Sequence, residues 1–391
     1  MNAYIIDGYR SAVGKAPKGV FRFTRPDDLA AEVIKHLLSK VPALDPARVD
    51  DIIVGNAVPE AEQGMQMARY ISLLALGKTV PGITINRYCG SGVEAIAMAA
   101  GKIAAGMADC IIAGGTESMS MVPTTGFKTA LNYNIASNNP DYYIGMGLTA
   151  EQVAQKYQIG REEQDEFAYQ SHQKALNAQK EGYFDSGIVP ITVKETYFDA
   201  ESGKKKTREY TVAKDEGPRA DTSREALAKL KPVFSAGGSV TAGNSSQTSD
   251  GAAFVIVMSE RLMKELGLNP IARMMAYAVA GCEPSLMGIG PVFAVPKALT
   301  QAGLKLEDIE QIELNEAFAA QSLAVVKELG IDPTKLNPNG GAIALGHALG
   351  STGARLSVQL FNEMRRRNQK YGMVTACVGG GQGVAGIYEL L

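Results

Sequence analysis

Four side chains in this sequence pair a reactive atom with a setting that could put it to work. They are Cys89 in NRYCGSG, His347 in GHALG, Cys377 in ACVGGGQG and Asn315 in LNEAFAA. A free thiol, with a pKa of about 8.5, is mostly protonated at neutral pH, and only its thiolate is a good nucleophile. If SGVEAIAMAAGKIAAG opens a helix just after Cys89, the N–H groups and positive dipole end of that helix favour the thiolate. His347 can take the thiol proton, and Asn315 can hold a water or an oxyanion. Each residue also has an inert reading. Most buried cysteines are small hydrophobes, as Cys110 and Cys282 are in or beside their apolar runs, and the Asn315–Glu316 pair can cap a helix.

These residues need elements to position them, and the sequence supplies alternating strands and helices. AYIIDG (3–8), DDIIVGNA (50–57) and DCIIAGGTES (109–118) read as buried strands, and DLAAEVIKHLLSK (28–40) has helical apolar spacing. The last third repeats the order: ARMMAYAVAG (272–281) as strand, VFAVPKALTQAG (292–303) as helix, then DIEQIELNEAFAA (308–320) as strand into helix. A glycine-rich loop then feeds a long helix in 337–367, and GMVTACVGGGQG (372–383) closes with a buried strand and a glycine run. The pattern implies an α/β fold with an internal duplication. The four candidates fall at strand ends and strand-to-helix junctions, where ligands bind in such folds.

Residues 119–245 differ in texture and read as a partly irregular insertion, the kind of segment that carries substrate or subunit contacts. Its KKKTR run reads as a solvated hairpin tip, with phosphate binding as the sharper alternative.

Composition narrows the classes. With 391 residues, 46% hydrophobic and 20% charged, the chain is long enough for two or three cores. A net charge of −2 argues against a nucleic-acid partner. No apolar run approaches the roughly 18–20 residues of a membrane span. The N-terminus lacks a signal-peptide pattern, so a cytoplasmic enzyme is expected. Four scattered cysteines without a CxxC pair and only three histidines argue against a disulfide framework or a metal site. No glycine loop matches the dinucleotide or P-loop spacing.

In order along the chain, NRYCGSG, GGTESMS, SVTAGNSSQTSDGAA, MGIGPV, NEAFAAQ, GGAIALGH and CVGGGQG resemble the motifs of the thiolase family. The resemblance implies a five-layered αβαβα fold with two duplicated halves and an inserted loop domain. The halves would be 1–118 plus 246–267 and 268–391, with 119–245 as the loop domain. It implies acyl exchange between CoA thioesters, with Cys89 as the acyl-carrying nucleophile and Cys377 as acid/base. His347 would activate Cys89 and share an oxyanion hole with a water on Asn315. The backbone N–H groups of Cys89 and Gly379 would form a second hole.

For the substrate, the resemblance implies Ser246, Ala242 and Phe234 along the pantetheine arm, Arg219 near the nucleotide, and Met146 and Phe318 at the acyl end. Phe234 and Phe318 read equally as core, and Arg219 as a surface charge. CoA is then a substrate, no cofactor or metal is needed, and a homodimer or homotetramer is expected.

GNAVPEAEQGMQMAR, MGIGPV and Gly145 look closer to degradative 3-ketoacyl-CoA thiolases of β-oxidation than to acetoacetyl-CoA-forming ones. Ala348, where the family usually has proline, and Ser351, where it has Cys or Ala, depart from the pattern. The lost proline is expected to loosen the loop aiming His347. Two rivals are a ketoacyl synthase, disfavoured by Cys377 and the scarcity of histidine, and a non-catalytic acyl-CoA binder.

Overall fold

The computed structural model describes residues 3–391. The first half runs β1 (Ala3–Ser11), β2 (Gly14–Lys15), α1 (Pro26–Lys40), β3 (Asp51–Gly55), α2 (Met67–Ala75), β4 (Gly82–Ile85), α3 (Ser91–Ala104) and β5 (Cys110–Ser118). An insertion follows with α4 (Tyr133–Asn138), α5 (Met146–Tyr157), α6 (Arg161–Lys180), β6 (Ile188–Val189), β7 (Ile191–Asp199), β8 (Lys204–Val212) and α7 (Arg224–Ala228). The chain then returns through β9 (Ser249–Ser259) and α8 (Glu260–Glu265). The second half is β10 (Ala272–Gly281), α9 (Gly290–Ala302), β11 (Gln311–Leu314), α10 (Ala319–Leu329), α11 (Ala342–Leu345), α12 (Leu349–Arg367), β12 (Tyr371–Val378) and β13 (Gln382–Leu390).

Duplication is written in the strand order β11-β12-β13-β10-β1-β9-β5-β3-β4. Outward from the centre, β1-β9-β5-β3 and β10-β13-β12-β11 carry the same sequence of pairings, antiparallel, antiparallel, parallel. Even the irregularity repeats, with a register shift between Ile5 and Asp7 of β1 and another between Met274 and Ala276 of β10. Where the first half has β4, the second has only a parallel bridge from Ile312 to Leu336. A short antiparallel contact, Tyr4 with Arg273 and Ile5 with Ala272, joins the two half-sheets.

Strand alternation sorts side chains into layers. Ile52, Val54 and Ile112 face an outer core with Leu29, Val33 and Ile34 of α1. Their neighbours Ile53, Ile111 and Ala113 face a central core, which also takes Val374 and Ala376 from the other half-sheet. Val93, Ile96 and Ala99 of α3 and Ala354, Val358 and Phe361 of α12 fill that centre. Ile312, Met373 and Ile387 face the third core with α9. Outer helices, half-sheet, central helices, half-sheet and outer helices make five layers.

Both central helices are made for close approach. A Cβ on Gly92 would fall 2.5 Å from the Ala354 nitrogen, and one on Gly353 lies just as tightly against the Val93 nitrogen. The contact is reciprocal, so CGSG (89–92) and GSTG (350–353) are counterpart helix starts. Cys89 stands where the second half has Gly350.

The insertion is more regular than its texture implied, with the 20-residue α6 and the β7–β8 hairpin. KKKTR is not the hairpin tip: Lys204–Arg208 form the first part of β8, and the turn lies at 200–203. Lys206 pairs with Asp199 at 2.6 Å and Arg208 with Glu195 at 2.7 Å across the hairpin, and Lys204 and Lys205 are exposed. The insertion is stitched to the sheet, because β6 pairs in parallel with Arg10 and Ser11 of β1. Asp215 adds a buried two-pronged ion pair to Arg10, at 2.7 and 2.8 Å, and accepts the Val13 N–H.

Candidate active site

Cys89 sits in a single 3₁₀ turn, Tyr88–Gly90, that runs into α3. The entry is tightly held. Tyr88 adopts φ +43, an uncommon value for a bulky residue, while its N–H donates to Asn86 Oδ1 and the Ser91 hydroxyl donates to its carbonyl. Gly90 packs against Val378 and Val384 of the other half, where a Cβ would already be crowded at 3.0 Å.

Cys377 ends β12, fully buried in an apolar cluster with Ala150, Val240, Met287, Ala317 and Phe318, against which Met146 packs. The residues flanking the two cysteines touch: a Cβ on Gly90 would lie 3.1 Å from Val378, and one on Gly379 3.5 Å from the Tyr88 ring. Burial first, then the Cys89 sulfur, holds the Cys377 thiol well above the ordinary thiol range. The glycine run after β12 turns back over Cys89. Backbone N–H groups of Gly379 and of Cys89 itself point at the Cys89 sulfur and lower its pKa.

That pull does not win. Burial pushes the Cys89 thiol up to about 12. A helix N-terminus is worth about 0.3–2 kcal/mol, roughly one pKa unit, against the several units that full burial can impose. The helix start favours the thiolate, as the sequence implied, but burial outweighs it, and a base is needed to remove the Cys89 proton. Iodoacetamide labelling of Cys89, followed by peptide mapping, is expected to speed up about tenfold per pH unit from pH 7 to 9 without a plateau. A rate already level at pH 7 would contradict this.

His347 lies between α11 and α12, with its N–H donating to the Gln247 carbonyl at 3.1 Å. Its ring is gripped on both sides, Nδ1 at 2.7 Å from Thr352 Oγ1 and Nε2 at 3.2 Å from Asn315 Nδ2. Burial, and secondarily the Arg355 charge, lower its pKa to about 3, so the resting ring is neutral. Asn315 does not cap a helix, since α10 starts only at Ala319. Its amide reaches His347 instead, and its Oδ1 is buried with no protein partner. The neighbouring Glu316 turns away to accept from Ser171 and Asn337.

Ala348 holds the backbone that a proline there would impose. It has φ −77, its carbonyl accepts from Ser351 and Thr352, and among the described residues its own N–H has no partner. Such a site suits proline. Ala348→Pro is expected to add about 0.4–1 kcal/mol of stability and leave kcat unchanged, as checked by urea unfolding and steady-state rates.

Two residues escaped the sequence reading. Thr352 is one. The other is Glu117, buried at the end of β5, whose carboxylate accepts from the Ala57 and Gly350 N–H groups and from Asn56 and Gln63. It ties the start of α12 to the loop after β3, and its charge is among the groups opposing ionisation of Cys89. An acid closing a buried strand, GGTES, was the available signal.

Phe234 meets Phe318 edge-on at 6.0 Å, and Met146 Sδ lies 3.8 Å from where a Gly379 Cβ would stand. Phe318 is buried, whereas Phe234 is 42% exposed. A Cβ on Gly145 would meet nothing within 4 Å. Ala242 and Arg219 line a cleft of about 330 Å³ with Lys15, His172, Ser245 and Gln247. Ser246, between the last two, donates its N–H to Ala317, next to Phe318. Arg219 is mostly exposed and paired with Asp221. A larger hollow of about 780 Å³ between α6 and α10 reaches Glu316 but none of the four reactive groups. Among the described residues no cluster of His, Cys, Asp or Glu is arranged to hold a metal, and no helix is long and apolar enough to cross a membrane.

A duplicated α/β fold with one buried cysteine from each half brought to the same place has the layout of a thiolase. The chain belongs to the thiolase family: the thiolase N-terminal domain model matches residues 3–261 and the C-terminal domain model residues 268–390. It is 52% identical to a 3-ketoacyl-CoA thiolase of Bacillus subtilis (strain 168) over 99% of both chains. It is 45% identical to the peroxisomal 3-ketoacyl-CoA thiolase A of Mus musculus, over 98% of this chain and 90% of that one. A crystal structure of the Bacillus anthracis acetyl-CoA acetyltransferase superposes with TM-score 0.90 at 42% identity, covering 100% of this chain and 99% of that one.

Proposed function

We propose that this protein is an acyl-CoA:acetyl-CoA C-acyltransferase that cleaves 3-ketoacyl-CoA with CoA through an acyl-Cys89 intermediate. The observation that carries it is that two buried cysteines, one from each half, are brought together, with the turn at Cys89 packed on the Val378–Gly379 end of β12. His347 Nε2 takes the Cys89 proton, and the thiolate attacks the 3-keto carbon. The oxyanion is met by the N–H groups of Cys89 and Gly379. As the C–C bond breaks, the electron pair passes into an acetyl-CoA enolate. The Nε2–H of His347 and a water that donates to Asn315 Oδ1 face its oxygen, and Cys377 protonates its carbon. Cys377, now a thiolate, takes the proton of an incoming CoA thiol, whose sulfur attacks acyl-Cys89. The Sγ–acyl bond breaks, the shortened acyl-CoA leaves, and the Cys89 thiolate takes back its proton from His347 Nε2. Covalent capture divides one difficult exchange into two easier transfers.

Lys15 and Arg219 at the 330 Å³ cleft suit the CoA phosphates. Ala242, Ser246 and Phe234 would follow the pantetheine arm, and Met146 and Phe318 the acyl chain. Names of the relatives favour the degradative reading in fatty-acid metabolism, and the open space at Gly145 agrees with it. The acetyltransferase structure keeps acetoacetyl-CoA synthesis as the second reading. Thiolysis rates across 3-ketoacyl-CoA chain lengths test this: activity confined to acetoacetyl-CoA favours the second, and no CoA-dependent loss of any 3-ketoacyl-CoA rejects both.

The same proposal includes a homo-oligomer. β4 is an edge strand, with Ile83 on it and Tyr70, Leu73 and Leu74 of the neighbouring α2 exposed. A single-subunit mass by light scattering would exclude it. A cytoplasmic location belongs to the proposal too, and cell fractionation tests it.

A further inference from the structure

Thr352 has a single hydroxyl hydrogen and two partners. Its Oγ1 lies 2.9 Å from the Ala348 carbonyl oxygen, which can only accept, and 2.7 Å from His347 Nδ1. With the hydrogen given to the carbonyl, the face turned to the ring is lone pairs, and Nδ1 must carry the proton. The far side of the ring is compatible with this: at 3.2 Å a bare Nε2 can accept from the Asn315 amide. Thr352 is fully buried, so no bulk water competes for either contact.

We propose that Thr352 is a positioning residue that fixes the resting His347 as the Nδ1–H tautomer, with Nε2 left as the proton acceptor for Cys89. This rests on the reading of His347 as the base for Cys89 and assigns the nitrogen and the group that selects it. Proton balance is direct. The Cys89 S–H bond breaks, its proton forms the Nε2–H bond, and the ring, now protonated at both nitrogens, donates from Nε2 while Thr352 continues to accept from Nδ1.

With only three histidines in the chain, ¹⁵N-histidine NMR on the intact resting enzyme reads the tautomer directly, His36→Gln and His172→Gln variants assigning the other two rings. The expected result is a protonated Nδ1 and bare Nε2 on His347 in the wild type and in Thr352→Ser. Thr352→Val, which keeps the shape, should lose that preference and lower kcat by about 10- to 100-fold, with KM for the acyl-CoA little changed. Restoration of the rate by Thr352→Ser separates this from a packing defect. A protonated Nε2 in the resting wild type overturns the proposal, as does Thr352→Val with tautomer and kcat both unchanged. Full turnover by Cys89→Ala would instead sink the acyl-enzyme reading and leave the tautomer result standing.

Discussion

Cys377→Ala is expected to slow cleavage of the carbon–carbon bond by about 10²- to 10⁴-fold, the range that a positioned acid/base supplies. Acylation of Cys89 by a simple acyl-CoA should survive better, because that half-reaction makes no carbanion. Cys89→Ala should lose both. Intact-protein mass after mixing with acetyl-CoA reads the acyl-enzyme, and acetoacetyl-CoA consumption reads the cleavage. The separation is interpretable because alanine suits the apolar cluster around Cys377 and leaves no polar group unpaired. Cleavage within tenfold of wild type in Cys377→Ala would remove this thiol from the mechanism.

Asp215→Ala is expected to cost about 3–5 kcal/mol of stability, since it strands the Arg10 guanidinium in a site where both side chains are almost wholly out of solvent. The charge left behind, more than the lost pair, sets the size. Arg10→Met with Asp215→Leu should recover most of the loss, because a buried ion pair roughly breaks even against apolar packing. Function should suffer as well. Asp215 holds the Val13 N–H, and Glu216 holds those of Lys15 and Val20, so this joint fixes one wall of the cleft proposed for CoA. Chemical unfolding and the KM for CoA check the two effects; a loss below about 1 kcal/mol, the worth of an exposed pair, would contradict the assignment.

Much of this was legible in the sequence. The motif order and the repeated strand–helix pattern carried the five layers, and the residue types at strand ends carried Cys89, His347, Cys377 and Asn315. What stayed hidden depends on contacts across the chain. Thr352 reads as one more small polar residue until its helix turn brings its hydroxyl to His347. Glu117 reads as part of a glycine loop until four donors from other segments converge on it. For Cys89 the helix start that favours ionisation is visible in sequence, whereas the depth of burial that opposes it is not. β13 went unseen behind the glycine run, and the β7–β8 hairpin was read only at its KKKTR end, its strands staying hidden because they carry mostly exposed polar residues.

The glycine-on-backbone contact of Gly92 with Gly353's helix, described above as a packing detail, also couples two reagents. Cys89 and His347, the proposed nucleophile and proton acceptor, each stand just ahead of one of these two helices, only a few residues from the point where they touch. On that proposal, the crossing is what sets the two against each other. Anything that wedges the crossing apart disarms both at once, and a severed half of the chain, however well it folded, would hold only one of the two reagents.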